Sequence, residues 1–152
     1  MIVVEQSMSA ERSRVWRILK RLPEWDQLLP TVDEVHRSGE SGPVGVGSTF
    51  RLRQPGLPQA EYVVTDWQPE VGFTWESMAT GVRTIATHEL RESGTGTVLR
   101  LTLEWYGPLA GLVRFLVSAR ARRLVTGEAE AFTQLVEQQM GVTRGRCSPP
   151  PA

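Results

Sequence analysis

Residues 97–117, TVLRLTLEWYGPLAGLVRFLV, change period at Gly107-Pro108. Before the change, Leu99, Leu101, Leu103 and Trp105 alternate with Arg100, Thr102 and Glu104. Side chains on a strand alternate between its two faces, so one face is buried and the other is wet. That is the pattern of an antiparallel sheet covered on one side. After the change, Leu109, Leu112, Val113 and Leu116 recur at three- and four-residue steps, and Leu124, Leu135 and Val136 carry the apolar residues on towards Met140. Pro108 suits a first helical turn. The spacing predicts one helix of roughly 45 Å at 1.5 Å rise per residue. Gly127 lies inside it and marks a bend or a close contact with the sheet.

Upstream of residue 97 the alternating period continues. Strands are expected over 31–38, 48–54, 60–67, 73–78 and 82–92, with Ser93-Gly94-Thr95-Gly96 as a hairpin turn. In the 82–92 strand the alternation puts Thr84, Ala86, His88 and Leu90 on the inner face. Residues 39–47 hold four glycines and Pro43, which reads as a loop. Their superficial likeness to a phosphate loop fails, because a strand and not a helix follows. At the N-terminus, residues 2–8 form a β-branched strand. Ser9 then stands as helix N-cap for 10–22, Pro23 ends that helix, and a shorter helix follows over 24–29.

The fold class expected from this order is α+β. A curved antiparallel sheet of about seven strands wraps around a long C-terminal helix, with two short helices after strand 1. The terminal helix is the element long enough to cover the sheet. A helix is narrower than a strongly curved sheet, so a space can remain between them. Its lining would be Phe50, Leu52, Trp75, Thr84, Ala86, His88, Leu101, Leu103 and Trp105 from strands, Leu112 and Leu116 from the long helix, and Trp25 and Leu29 from the short pair. Two readings stay open: a pocket for a small hydrophobic or amphipathic molecule, or a core that these side chains fill.

Composition narrows the function. The chain has 152 residues, and seventeen basic residues balance seventeen acidic ones. A neutral chain without a basic block argues against nucleic acid as a partner and against electrostatic docking on anionic membranes. No apolar run is long enough for stable membrane insertion, and the first residues carry no secretory signal pattern. Sixteen of the basic residues are arginine and one is Lys20, as in GC-rich bacterial coding. A lone cysteine, Cys147, makes no intrachain disulfide and fits a cytoplasmic location. One domain over 1–140 and a disordered tail over 141–152 are expected, as monomer or homodimer.

A resemblance sharpens this. The opening strand is followed by Ser9-Ala10-Glu11-Arg12 and Val15-Trp16, then by Trp25 and Pro30. Further on stand Val44-Gly45-Val46-Gly47-Ser48-Thr49-Phe50, the Trp67-Gln68-Pro69 turn, Gly96-Thr97 and the final helix. In this order, over about residues 1–140, the chain resembles the polyketide cyclase/dehydrase and lipid-transport families of the START/Bet v 1-like (SRPBCC) superfamily. The resemblance implies a helix-grip fold with a deep pocket and no fixed catalytic set.

The candidates for chemistry are few. His88 can orient a carbonyl or phenol, or act as general base. Tyr62 can supply a phenol donor. Asp66 shares parity with Tyr62 and Val64, so it is expected to face inward. Two distant histidines, His36 and His88, make no metal signature, and no cofactor motif occurs. Arg120, Arg122 and Arg123 form a basic knot. It is either a solvated face balanced by Glu128 and Glu130, or a cationic lip for a ligand carboxylate or phosphate, with Arg123 best placed. Binding of a lipid-like or polyketide-like molecule is the first functional reading. A cyclase/dehydratase using His88 and Tyr62 is the second, and a partner-binding protein with a filled core the third.

Overall fold

The computed structural model describes residues 1–39 and 42–144. Seven strands run β1 (Ile2–Met8), β2 (Glu34–Ser38), β3 (Thr49–Arg53), β4 (Ala60–Gln68), β5 (Gly72–Ala79), β6 (Val82–Ser93) and β7 (Gly96–Tyr106). They form one antiparallel sheet in the order β1-β7-β6-β5-β4-β3-β2. Between β1 and β2 lie α1 (Arg12–Leu19), a 3-10 turn at Leu22–Glu24, and α2 (Trp25–Leu28). Helix α3 (Ala110–Arg144) follows the sheet. This is the expected helix-grip arrangement. Among the described residues no helix is long and apolar enough to cross a membrane.

Local details depart from expectation for identifiable reasons. Glu11, not Ser9, is the N-cap of α1. The chain stays beside β7 through Ala10, whose carbonyl accepts a hydrogen bond from Thr97 Oγ1 at 2.8 Å. Strand β2 begins at Glu34 because Val32 turns into the core. The helix expected to run to about Met140 is longer. Gly141 is tolerated in the helix, and α3 continues to Arg144. Residues 145–152, with Cys147, lie outside the described residues.

Two glycines fix how closely elements approach. Gly72 has φ +147°, and a Cβ there would stand 2.0 Å from the His88 carbonyl oxygen, so only glycine lets the start of β5 lie against His88. Gly127 touches Thr31, not the sheet: a Cβ there would be 3.0 Å from Thr31 Cγ2. It lets α3 settle on the segment after α2, one residue before Glu128.

The main core joins α1, α2, the inner sheet face and the second half of α3. Trp25 is its centre. Its ring lies 5.9 Å from Phe73, 5.3 Å from Trp75, 5.4 Å from His88 and 5.4 Å from Phe132, centroid to centroid. Its Nε1 donates to the Leu19 carbonyl at 3.3 Å, so the buried indole keeps no orphan donor.

Candidate ligand-binding site

The first half of α3 does not fill the space under the sheet. A cavity of about 350 Å³ remains between α3, the inner faces of β3–β7 and the loop from Gln54 to Gln59. The filled-core reading therefore fails for this region. Two rails set its depth. On β6, Val82, Thr84, Ala86 and His88 line it in succession, six residue steps or roughly 20 Å of strand. On α3, Val113, Val117, Ala121, Val125 and Glu128 line it, fifteen residue steps or roughly 22 Å of helix. The rails match in length, and their inner ends, His88 and Glu128, meet. The exposed lining residues, Pro58, Gln59 and Ala79, mark the mouth.

At the closed end, His88 Nε2 and Glu128 Oε1 are 2.7 Å apart, and both residues are buried. The imidazole stacks on Phe73 at 4.3 Å with the planes 10° apart. Trp75 stands edge-on to it at 5.9 Å. His88 Nδ1 is buried and has no hydrogen-bond partner among the described residues. A proton on Nδ1 would be a stranded buried donor, so the neutral ring carries its proton on Nε2 and donates it to Glu128. A carboxylate has about four acceptor positions, and His88 uses one. The rest of the Glu128 capacity is available to a molecule in the cavity.

Tyr62 lines the same cavity. Burial, with the charge of Glu128 adding to it, pushes its phenol up to about 12. It is therefore a hydrogen-bond donor over the ordinary pH range. Linkage gives the sign of a test. Between about pH 10 and 12 the unfolded chain has lost this proton and the native one has kept it. Stability is full below 10 and falls as pH rises towards 12, by on the order of 2 kcal/mol from this group. Chemical denaturation of wild type and Tyr62→Phe at pH 9 and at pH 11.5 should show the wild type losing more; equal losses would contradict a buried phenol.

The site residues expected from sequence separate into three groups. Leu52, Tyr62, Trp75, Thr84, Ala86 and His88 lie along the cavity, as do Leu101, Leu103 and Trp105. Trp25, Leu29 and Phe50 are fully buried behind the wall and do not line it. Leu112, Leu116, Arg123 and Asp66 point to solvent. Leu112 and Leu116 miss because the start of α3 is apolar nearly all round, and Val113 and Val117 take the inner face. Asp66 misses because a bulge between Val64 and Asp66 shifts the register. Past it, Trp67 turns inward against Trp16 and Phe73, while Asp66 accepts a hydrogen bond from Gln68 Nε2 at 2.8 Å. At the rim, Arg120 replaces Arg123: its Nη1 donates to the Gly56 carbonyl at 2.6 Å.

Glu128 is the important residue that sequence reading assigned elsewhere. Its nearby arginines suggested a surface pairing. Only the matched rail lengths bring it to His88, forty positions away.

The sheet wrapped on a long helix, with an apolar cavity ending at a buried polar pair, defines a helix-grip protein with a ligand pocket. The sequence profile for polyketide cyclase/dehydrase and lipid transport matches residues 1–141. The chain belongs to that family. No curated protein matches it in sequence. Among solved structures, protein TTHA0849 of Thermus thermophilus is 21% identical, covering 91% of this chain and 97% of its own, with TM-score 0.67. Norcoclaurine synthase of Thalictrum flavum is 18% identical, covering 89% and 84%, with TM-score 0.68. The Zhui aromatase/cyclase of Streptomyces is 14% identical, covering 91% and 94%, with TM-score 0.70. At these identities the likeness is one of fold.

Proposed function

We propose that this protein binds a small, mostly apolar, planar molecule that carries a hydrogen-bond donor at its leading end. The His88–Glu128 pair, buried at the closed end of a mostly apolar cavity, carries this reading. Apolar walls reward any hydrophobic guest of the right size. A carboxylate at the floor rewards one that presents a hydroxyl, phenol or amine there. The volume falls within the range of small-molecule sites, and the rings of Tyr62, Trp75 and Trp105 along the cavity suit a flat guest. The lone cysteine supports a cytoplasmic setting.

Two probes separate shape from polarity. 2-Naphthol and 2-methoxynaphthalene share a ring system, but only the first donates a hydrogen bond. Titration calorimetry should find 2-naphthol bound about tenfold more tightly or better, as for a hydrogen bond to a charged group. Equal affinities would remove Glu128 from recognition, and no binding of either would remove the pocket.

A second reading adds chemistry to the same site. Tyr62, held protonated beside Glu128, favours it. In a cyclase or dehydratase of polyketide-like chains, the carboxylate would take a proton from the bound chain, and the phenol would support a developing oxyanion. The names of two similar folds, an aromatase/cyclase and a synthase, are compatible with it.

A further inference from the structure

The zero net charge of the whole chain conceals a local excess. Residues 110–127 contain four arginines, Arg114, Arg120, Arg122 and Arg123, and no acidic residue. Arg114, Arg122 and Arg123 form no ion pair among the described residues. The same stretch exposes large apolar side chains: Phe115 is 85% exposed, Leu116 67% and Leu112 54%. Their i, i+3, i+4 spacing puts all three on one exposed face, while Val113 and Val117 on the adjoining face line the cavity. Leaving three such side chains in water is unfavourable, and a contiguous exposed apolar patch marks an interaction surface.

We infer that this outer face of α3 docks the protein on the surface of an anionic lipid bilayer, with the cavity mouth beside the membrane. Charge and shape select this occupant. The patch is a convex helical crest, and Arg122 and Arg123 continue the same stripe two turns further along α3, as in helices that lie in a membrane interface. Leu112, Phe115 and Leu116 can enter the acyl boundary while the arginine stems extend to lipid phosphates. A second copy on the same face would bring two sets of arginines together, because a two-fold interface pairs a patch with itself. The location adds a second argument. Val113 and Val117 lead inward from the same turns that carry the crest, so an apolar guest leaving a bilayer would reach the cavity after a short path through water. The docking is peripheral and requires no spanning segment.

The test is co-flotation of the full chain with vesicles of phosphatidylcholine alone and with about one third phosphatidylglycerol. Binding to the anionic vesicles should be clear at low salt, weaker at high salt, and slight on phosphatidylcholine alone. Arg122→Glu/Arg123→Glu should weaken it by about tenfold or more. Phe115→Ser/Leu116→Ser should weaken it similarly. All four side chains point to solvent, so both variants should melt like wild type. The inference is overturned if wild type ignores anionic vesicles, or if both double variants bind as well as wild type. It is equally overturned if sedimentation shows a wild-type dimer that Phe115→Ser/Leu116→Ser dissociates, with no vesicle binding, since the face then belongs to a second copy.

Discussion

His88→Phe alone should cost about 3–5 kcal/mol of stability, whereas His88→Phe combined with Glu128→Leu should restore most or all of it. The single change leaves the buried Glu128 carboxylate without its 2.7 Å hydrogen-bond donor, and a buried charged acceptor left unsatisfied costs more than a neutral one. The reciprocal single change, Glu128→Leu, strands the Nε2 proton of a histidine whose Nδ1 already has no partner; its cost should be about 1–3 kcal/mol. The double variant removes both polar groups and keeps apolar volume, and such exchanges are often neutral or stabilising. Urea denaturation of the four proteins closes the cycle. The double variant should also bind 2-naphthol and 2-methoxynaphthalene alike. Stability retained and donor preference lost would mean that the pair is kept for recognition. A double variant as unstable as the worse single one would instead make the pair a structural fixture.

Trp25→Ala should produce a loss of similar size, about 3–5 kcal/mol, by a different mechanism. Trp25 is 1% exposed and meets four other rings. Truncation forfeits its transfer free energy and leaves a void that Phe73, Trp75 and Phe132 can close only in part. It also removes the ring behind His88, so the imidazole loses one side of its support. Guest affinity should fall with stability, although Trp25 never touches the cavity. A loss below about 1 kcal/mol in urea denaturation would mean that this aromatic cluster repacks freely.

How much of this could be read beforehand depends on how local the information was. The inner face of β7 was legible because Leu99 to Trp105 alternate without interruption. The inner position of His88 followed from the pairing strand. The curved sheet of about seven strands and its covering helix followed from the sequence of elements. The floor of the site was less accessible. Glu128 sits a turn after a cluster of arginines, and a local charge rule claims it for the surface. Its true partner depends on the length of α3 against the length of β6, which no short window contains. Asp66 was misplaced by a single inserted residue, since a bulge inverts every later side chain on its strand. Leu112 and Leu116 were misplaced because a turn that is apolar on all sides has no phase to read. In this chain that ambiguity has a physical counterpart, one apolar face for the cavity and one left in water.

The paired rails of β6 and α3 also make the interior a depth gauge. Both carry alanine at intermediate depth, Ala86 on the strand and Ala121 on the helix, between the residues of the floor and those of the rim. Enlarging either one would raise a stop partway down the bore and shorten the accepted guest, while entrance and anchor stay as they are. Selection by length and selection by headgroup are thus separately adjustable in this scaffold, and a lineage could change one taste without relearning the other.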